Sequence, residues 1–234
     1  MPIIVPEKAA VSALARRLDH TLLRAQTTAS EIRRLCDEAR LWGFASVCVP
    51  PRFVSLAADL LSGSPVATGT VIGFPLGNQT AECKVFEAGR AVAAGAVELD
   101  MVIAVGAALE GRLAEVEDEI AAVVATVGAN GTVKVIIECC FMSDELKGEL
   151  AEIVVGSGAA YVKTSSGFGS GGATLEDVRL LASRVRGRVG VKAAGGIRDL
   201  ASCRAFVVAG ASRIGTSNGV AILSELAGEY SGEG

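Results

Sequence analysis

"AAYVKTSSGFGSGGATLEDVRLLASRVRGRVGVKAAGG", Ala159 to Gly196, holds a complete structural unit. It opens on a short apolar run, "YVKTS", and closes on another, "VGVKAAGG". Runs of this kind suit buried parallel strands. Between them, "TLEDVRLLASRVRG" reads as a helix that stops at Gly187. Strand, helix and strand in this order predict a right-handed crossover between parallel neighbours. Each strand also carries a lysine, Lys163 and Lys192. Burying an ammonium group is costly, so both lysines require a reason.

The same rhythm extends in both directions. Strand-like runs are "RLDHTLL", "SVCVP", "ATGTVIGFP", "AVELDMVIA", "VKVIIECC" and, after Gly196, "SRIGTS". Helix-like stretches separate them. "TTASEIRRLCDEARLWG" carries a capping box from Thr28 to Glu31 and ends at Gly43. "PRFVSLAADLLSG" begins on Pro51, a residue suited to a first helical turn. "TAECKVFEAGRAVAAG", "EGRLAEVEDEIAAVVATVG", "SDELKGELAEIVVGSG" and "RDLASCRAFVVAG" complete the series. Eight strand–helix units predict one domain over residues 1–234, a closed (β/α)8 TIM barrel; an open doubly wound sheet is the alternative. "EKAAVSALARR" adds a helix before the first strand.

Composition agrees with a large core. The chain has 234 residues, half of them hydrophobic, and a mean hydropathy of +0.46. Its formal net charge is -4, and it holds no long basic run, which argues against nucleic acid or an anionic membrane as partner. No apolar run has the length of a spanning helix, and "MPIIVPEKAA" lacks the pattern of a signal peptide. The six cysteines form no C-x-x-C pair and there is one histidine, His20. Reduced thiols in a cytoplasmic protein are expected, with no structural metal site. His20 reads as a hydrogen-bonded structural residue.

In a parallel barrel, function gathers where strands end. Asp19 and Thr21 mark the first strand, Cys48 the second, Asp100 the fourth, Glu138 the fifth, Lys163 the sixth and Lys192 the seventh. Lys134 and Glu138 share strand parity, which turns both inward as support for a charge network. Cys48 reads as a buried thiol beside the pocket. The glycine-rich loops "AAGGIRD" and "GTSNGVA" follow the last two strands, the usual phosphate-binding positions of such barrels. Tyr230 falls in "AGEYSGEG", read as a mobile tail able to reach the pocket.

Taken in order, "LDHTLL", "VCVPPRFV", "VIGFPLG", "ELDMVI", "KVIIE", "YVKTSSGFG", "VKAAGGIR" and "GASRIGTSNG" resemble the deoxyribose-phosphate aldolase family over nearly the whole chain. The resemblance implies a barrel that works as a homodimer or homotetramer without metal or organic cofactor. It implies reversible cleavage of 2-deoxy-D-ribose 5-phosphate, a small phosphorylated sugar, to acetaldehyde and D-glyceraldehyde 3-phosphate. It places the Schiff-base lysine at Lys163, the second catalytic lysine at Lys192 and the catalytic aspartate at Asp100. Ser166, Gly167, Gly195, Gly196, Gly215, Ser217 and Asn218 are then the substrate and phosphate contacts. Departures from the family pattern leave the three catalytic positions untouched: Arg24, Ala25, Ala104, Cys139, Ser166 and Asn218 replace its commoner residues, the last two among the expected contacts.

The chemistry gives the lysine pair an independent reason. Schiff-base formation needs a neutral amine, and an ordinary lysine, with a pKa near ~10.4, is almost wholly charged at pH 7. Desolvation and a neighbouring ammonium both lower that value. A phosphosugar isomerase or epimerase has no need of the pair, and a non-catalytic phosphate-binding module has no need to keep both lysines.

Overall fold

The computed structural model describes residues 6–231. Its eight strands are β1 (Leu18–Thr21), β2 (Ser46–Val49), β3 (Ala67–Ile72), β4 (Glu98–Val102), β5 (Thr132–Ile136), β6 (Tyr161–Lys163), β7 (Gly190–Ala194) and β8 (Arg213–Thr216). All pair in parallel with their sequence neighbours, and β8 pairs with β1, so the sheet closes into a barrel. The open-sheet alternative is thereby ruled out.

The ring of helices comprises α2 (Ala29–Trp42), α3 (Val54–Leu61), α4 (Ala81–Ala93), α5 (Val105–Leu109), α6 (Leu113–Val127), α7 (Asp144–Gly156), α8 (Leu175–Val185), α9 (Leu200–Ala209) and α10 (Gly219–Ser231), with α1 (Pro6–Ala15) ahead of β1. Their starts follow local chemistry. Thr28, Thr80, Ser143, Thr174 and Asp199 each accept a backbone N–H of the first turn, and Thr28 with Glu31 forms the expected capping box.

Three sequence expectations change. Pro51 opens a 3-10 turn, Pro51–Phe53, and the α-helix begins at Val54. The short α5 was not anticipated. The "AGEY" segment continues α10, so the backbone at Tyr230 is helical rather than a loose tail; its side chain lies outside the described residues.

The strands have two unlike faces. Outward residues such as Val47, Leu99, Val135, Val162, Val191 and Ile214 are buried against the helices and form the hydrophobic core. Inward residues are found by following the register: Asp19 meets Ser46, Cys48 meets Gly69, Gly69 meets Glu98, Asp100 meets Lys134, Lys163 meets Lys192, and Lys192 meets Arg213. Matched residues in parallel neighbours share a face. The barrel interior is therefore strongly charged. Glycine makes room for the long side chains. A Cβ on Gly215 would lie 3.1 Å from Lys192 Cε, and one on Gly190 would sit 2.3 Å from the Tyr161 ring.

Candidate active site

Asp100 is the centre of the interior. Its Oδ2 accepts from Lys163 Nζ at 2.7 Å and from Lys192 Nζ at 2.5 Å, while Oδ1 accepts from Lys134 Nζ at 3.0 Å. Three neighbouring strands thus aim their lysines at one carboxylate. Lys134 also donates to Glu98 at 2.7 Å. Asp19 Oδ2 lies 2.5 Å from Lys192 Nζ and 3.5 Å from Lys134 Nζ. Arg213 closes the network from below. It donates to Asp19 through Nε at 2.8 Å and to Glu98 through Nη2 at 2.8 Å.

Asp100 lies within its strand, as expected, while Asp19 and Lys192 lie deeper than strand-end reasoning placed them. Asp19, Asp100, Lys134 and Lys192 occupy strand interiors, and only Lys163 ends its strand. Glu98 and Arg213, which begin their strands, belong to the same network and were missed. As isolated charges near strand starts they carry no visible signal; the spacing of Glu98 two residues before Asp100 hints at a shared face, and nothing local marks Arg213.

Burial pushes the Lys163 amine below the ordinary lysine value; Asp100 opposes this and the Lys192 ammonium adds to it. Burial also works against a charge on Lys192, but Asp100 and Asp19 outweigh it and raise its value. Burial alone would raise the Asp100 carboxyl, yet Lys134, Lys163 and Lys192 hold it well below the usual carboxylate range. The two lysines of the opening stretch are thus driven in opposite directions by the anions each one meets. Lys192 faces two carboxylates and Lys163 faces one.

Lys163 opens into a cavity of about 520 Å³. Gly195, Gly196 and Ser217 line it as well, as do Thr21, Ser166, Gly167 and Gly215. Gly195 and Gly196 have φ of 93° and 86°, a region that glycine enters without steric cost. α10 opens two residues after Ser217. Arg198, the next cation along the loop, lines the same space, as do Arg24 and Arg34. Sequence reasoning noted Arg24 only as a departure from the family pattern and passed over Arg34 and Arg198.

The remaining predicted residues divide. Thr21 donates to the Asp19 carbonyl. Cys48 is buried, is not among the cavity-lining residues, and burial pushes its thiol up to about 11. Asn218 does not line the cavity either; its side-chain oxygen accepts from Ser217 and its backbone N–H donates to Thr216. Glu138 does not join the charge network. It lies beyond β5 with φ of 52°, which breaks the strand parity, and its carboxylate accepts the Ser166 N–H at 3.1 Å. It braces the loop after β6. His20 hydrogen-bonds Glu38 at 2.7 Å and stacks on Phe44. The six cysteines are free, with Cys83 and Cys140 exposed and the others buried.

Residues 13–225 match the pattern of the DeoC/LacD family aldolases. The chain belongs to this aldolase family. It is 53% identical over 208 residues to the deoxyribose-phosphate aldolase of Syntrophotalea carbinolica, covering 89% of this chain and 94% of that protein. It is 49% identical over 211 residues to the deoxyribose-phosphate aldolase of Deinococcus radiodurans, covering 90% and 96%. Among solved structures, the tetrameric deoxyribose phosphate aldolase of Aeropyrum pernix superposes with a TM-score of 0.85 at 34% identity, over 95% of this chain and 96% of that one. Among the described residues, no helix of this DeoC/LacD aldolase is long and apolar enough to cross a membrane.

Proposed function

We propose that this aldolase reversibly cleaves 2-deoxy-D-ribose 5-phosphate to acetaldehyde and D-glyceraldehyde 3-phosphate through a Schiff base on Lys163. The observation that carries the reading is the placement of Lys163. Its amine is held below the ordinary value, at the wall of a cavity that the Gly195–Gly196 turn and Ser217 also line.

The steps follow from that placement. The neutral Lys163 amine attacks C1 of the open-chain sugar, and loss of water leaves an iminium. The C3 hydroxyl then gives up its proton, the C2–C3 bond breaks, and its electron pair moves into the enamine. Glyceraldehyde 3-phosphate departs. The enamine takes a proton at carbon, and water releases acetaldehyde and the amine. Asp100 and Lys192 lie beneath Lys163 and share a 2.5 Å contact, so they form the proton relay, through a water to the substrate. A carboxylate as depressed as Asp100 does not keep a proton; it passes it on between lysines. Lys134 holds the other Asp100 oxygen and fixes its orientation.

The phosphate falls to the Gly195–Gly196 turn, Ser217 and the start of α10, where backbone N–H groups and the helix dipole favour an anion. Arg198 adds charge, and Ser166 and Gly167 border the sugar chain. Asn218 acts by holding Ser217. We infer a homodimer or homotetramer, supported by exposed Phe86, Leu41 and Leu76. Free thiols support a cytoplasmic site of action in deoxyribonucleoside breakdown. The test compares 2-deoxyribose 5-phosphate with unphosphorylated 2-deoxyribose in an aldehyde-release assay. A kcat/KM lower by about a hundredfold or more for the free sugar is expected, since charge-assisted contacts to the phosphate are lost. Equal values would refute the anion site, and no aldehyde from either would refute the reaction.

A further inference from the structure

We propose that Arg213 and Glu98, below the reacting amine, are positioning residues that set its charge: the barrel interior holds one more base than it holds acids, and Lys163 is the base left without a proton.

The inventory can be taken strand by strand. β1 supplies Asp19, β4 supplies Glu98 and Asp100, and β5 to β8 supply Lys134, Lys163, Lys192 and Arg213. β2 brings Ser46 and the protonated Cys48 thiol, β3 brings Gly69 and Val71, and the Tyr161 phenol lies under Arg213. Behind β6, Lys147 on α7 pairs with Asp144 and with Asp177 of α8, on the outer side of the sheet. Glu138 is turned to the Ser166 amide above the network. The interior therefore sets three carboxylates against four bases.

A desolvated cluster resists net charge, so the excess base is the one that gives up its proton. Geometry selects which. Lys134 meets three carboxylates, Asp19, Glu98 and Asp100. Lys192 meets two, and so does Arg213, which keeps its proton in any case. Lys163 meets Asp100 alone, and shares that oxygen with Lys192. The directions of the individual shifts agree: Lys134, Lys192 and Arg213 are raised and Lys163 is lowered.

Changing the inventory changes the proton on Lys163. Arg213→Met leaves three acids against three bases, and Lys163 retains its proton. Glu98→Gln leaves two acids against four bases, and Lys163 releases its proton sooner. Two residues that hydrogen-bond each other are thus expected to act with opposite signs, which loss of packing does not produce. The double variant, with two acids and three bases, returns to an excess of one base.

The proposal rests on Lys163 forming the Schiff base. The experiment is reductive trapping of the full-length protein with acetaldehyde and cyanoborohydride across a pH series. The amine and aldehyde condense with loss of water, and hydride reduces the iminium to N-ethyl-lysine, located by peptide mass spectrometry. The midpoint of trapping at Lys163 is expected to move up by on the order of one pH unit in Arg213→Met, the effect of a unit charge about 10 Å away at an effective dielectric of about 20. It is expected to move down in Glu98→Gln and to lie between the two in the double variant. Should Arg213→Met fail to fold, the near-isosteric Glu98→Gln still decides: a downward shift supports the proposal and an unmoved midpoint overturns it. Shifts of one sign in both single variants also overturn it. A wild-type protein not trapped at Lys163 sinks the Schiff-base reading itself, whereas normal wild-type trapping with unmoved variants sinks this proposal alone.

Discussion

Replacing Lys192 with leucine tests how the reacting amine is tuned. Lys163 and Lys192 both donate to Asp100 Oδ2, at 2.7 Å and 2.5 Å, so their nitrogens lie no further apart than about 5 Å. At that separation and an effective dielectric of about 20, two unit charges repel by about 3 kcal/mol. Removing Lys192 is then expected to raise the pH at which Lys163 loses its proton by about two pH units. The neutral fraction near pH 7 falls by about a hundredfold. Asp19 keeps Arg213 and Lys134 as partners, so the carboxylate Lys192 leaves behind is not stranded. Turnover alone is a poor readout, because Lys192 also belongs to the proton relay. The assay is the initial rate of imine formation with acetaldehyde against pH, followed by reductive trapping. The expected result is a low rate at neutral pH that recovers in alkali toward the wild-type plateau. A profile that superimposes on that of the wild type refutes the tuning role of Lys192.

Two further outcomes follow from the buried charges. Asp19 and Asp100 both titrate well below 3.8 in the folded protein. Depressed carboxylates lend stability that is complete above their unfolded values and lost as pH falls, so Tm should hold down to about pH 4 and drop steadily below it; a Tm unchanged between about pH 5 and pH 2 contradicts this. Outside the barrel, Lys84 pairs with Glu119 at 2.7 Å, with both side chains buried between α4 and α6. Lys84→Met strands the carboxylate and is expected to cost about 3–5 kcal/mol in urea unfolding, largely recovered in Lys84→Met with Glu119→Gln. A single variant as stable as the wild type refutes that account.

Much of the barrel was readable because its signals are local. Val- and Ile-rich runs, the Thr28–Glu31 capping box, and glycines past helix ends each act within a few residues. The closure of β8 on β1 was an inference from counting, since a pairing such as Asp19 with Gly215 leaves no local trace. α5, five residues of small and apolar type, has too few turns to show a period. Glu138 shows the opposite failure. Parity placed it inside the barrel, but a single left-handed residue re-aimed it to the Ser166 amide. Lys163, Lys192 and Asp100 stood out as charges in apolar strands, and the structure brings all three together. Glu98 and Arg213 were overlooked because a charge at a strand start is ordinary. Only the register reveals that these two face the lysines.

The central claim is that the Lys163 amine carries the substrate as an imine. The direct measurement is exposure of the folded protein to acetaldehyde, reduction with borohydride, and peptide mapping by mass spectrometry, with Lys163→Arg as control. The account predicts one N-ethyl group on the peptide holding "YVKTSSGFG", at Lys163, and none in the control. A folded protein left unmodified at Lys163, or modified equally at Lys192, contradicts it.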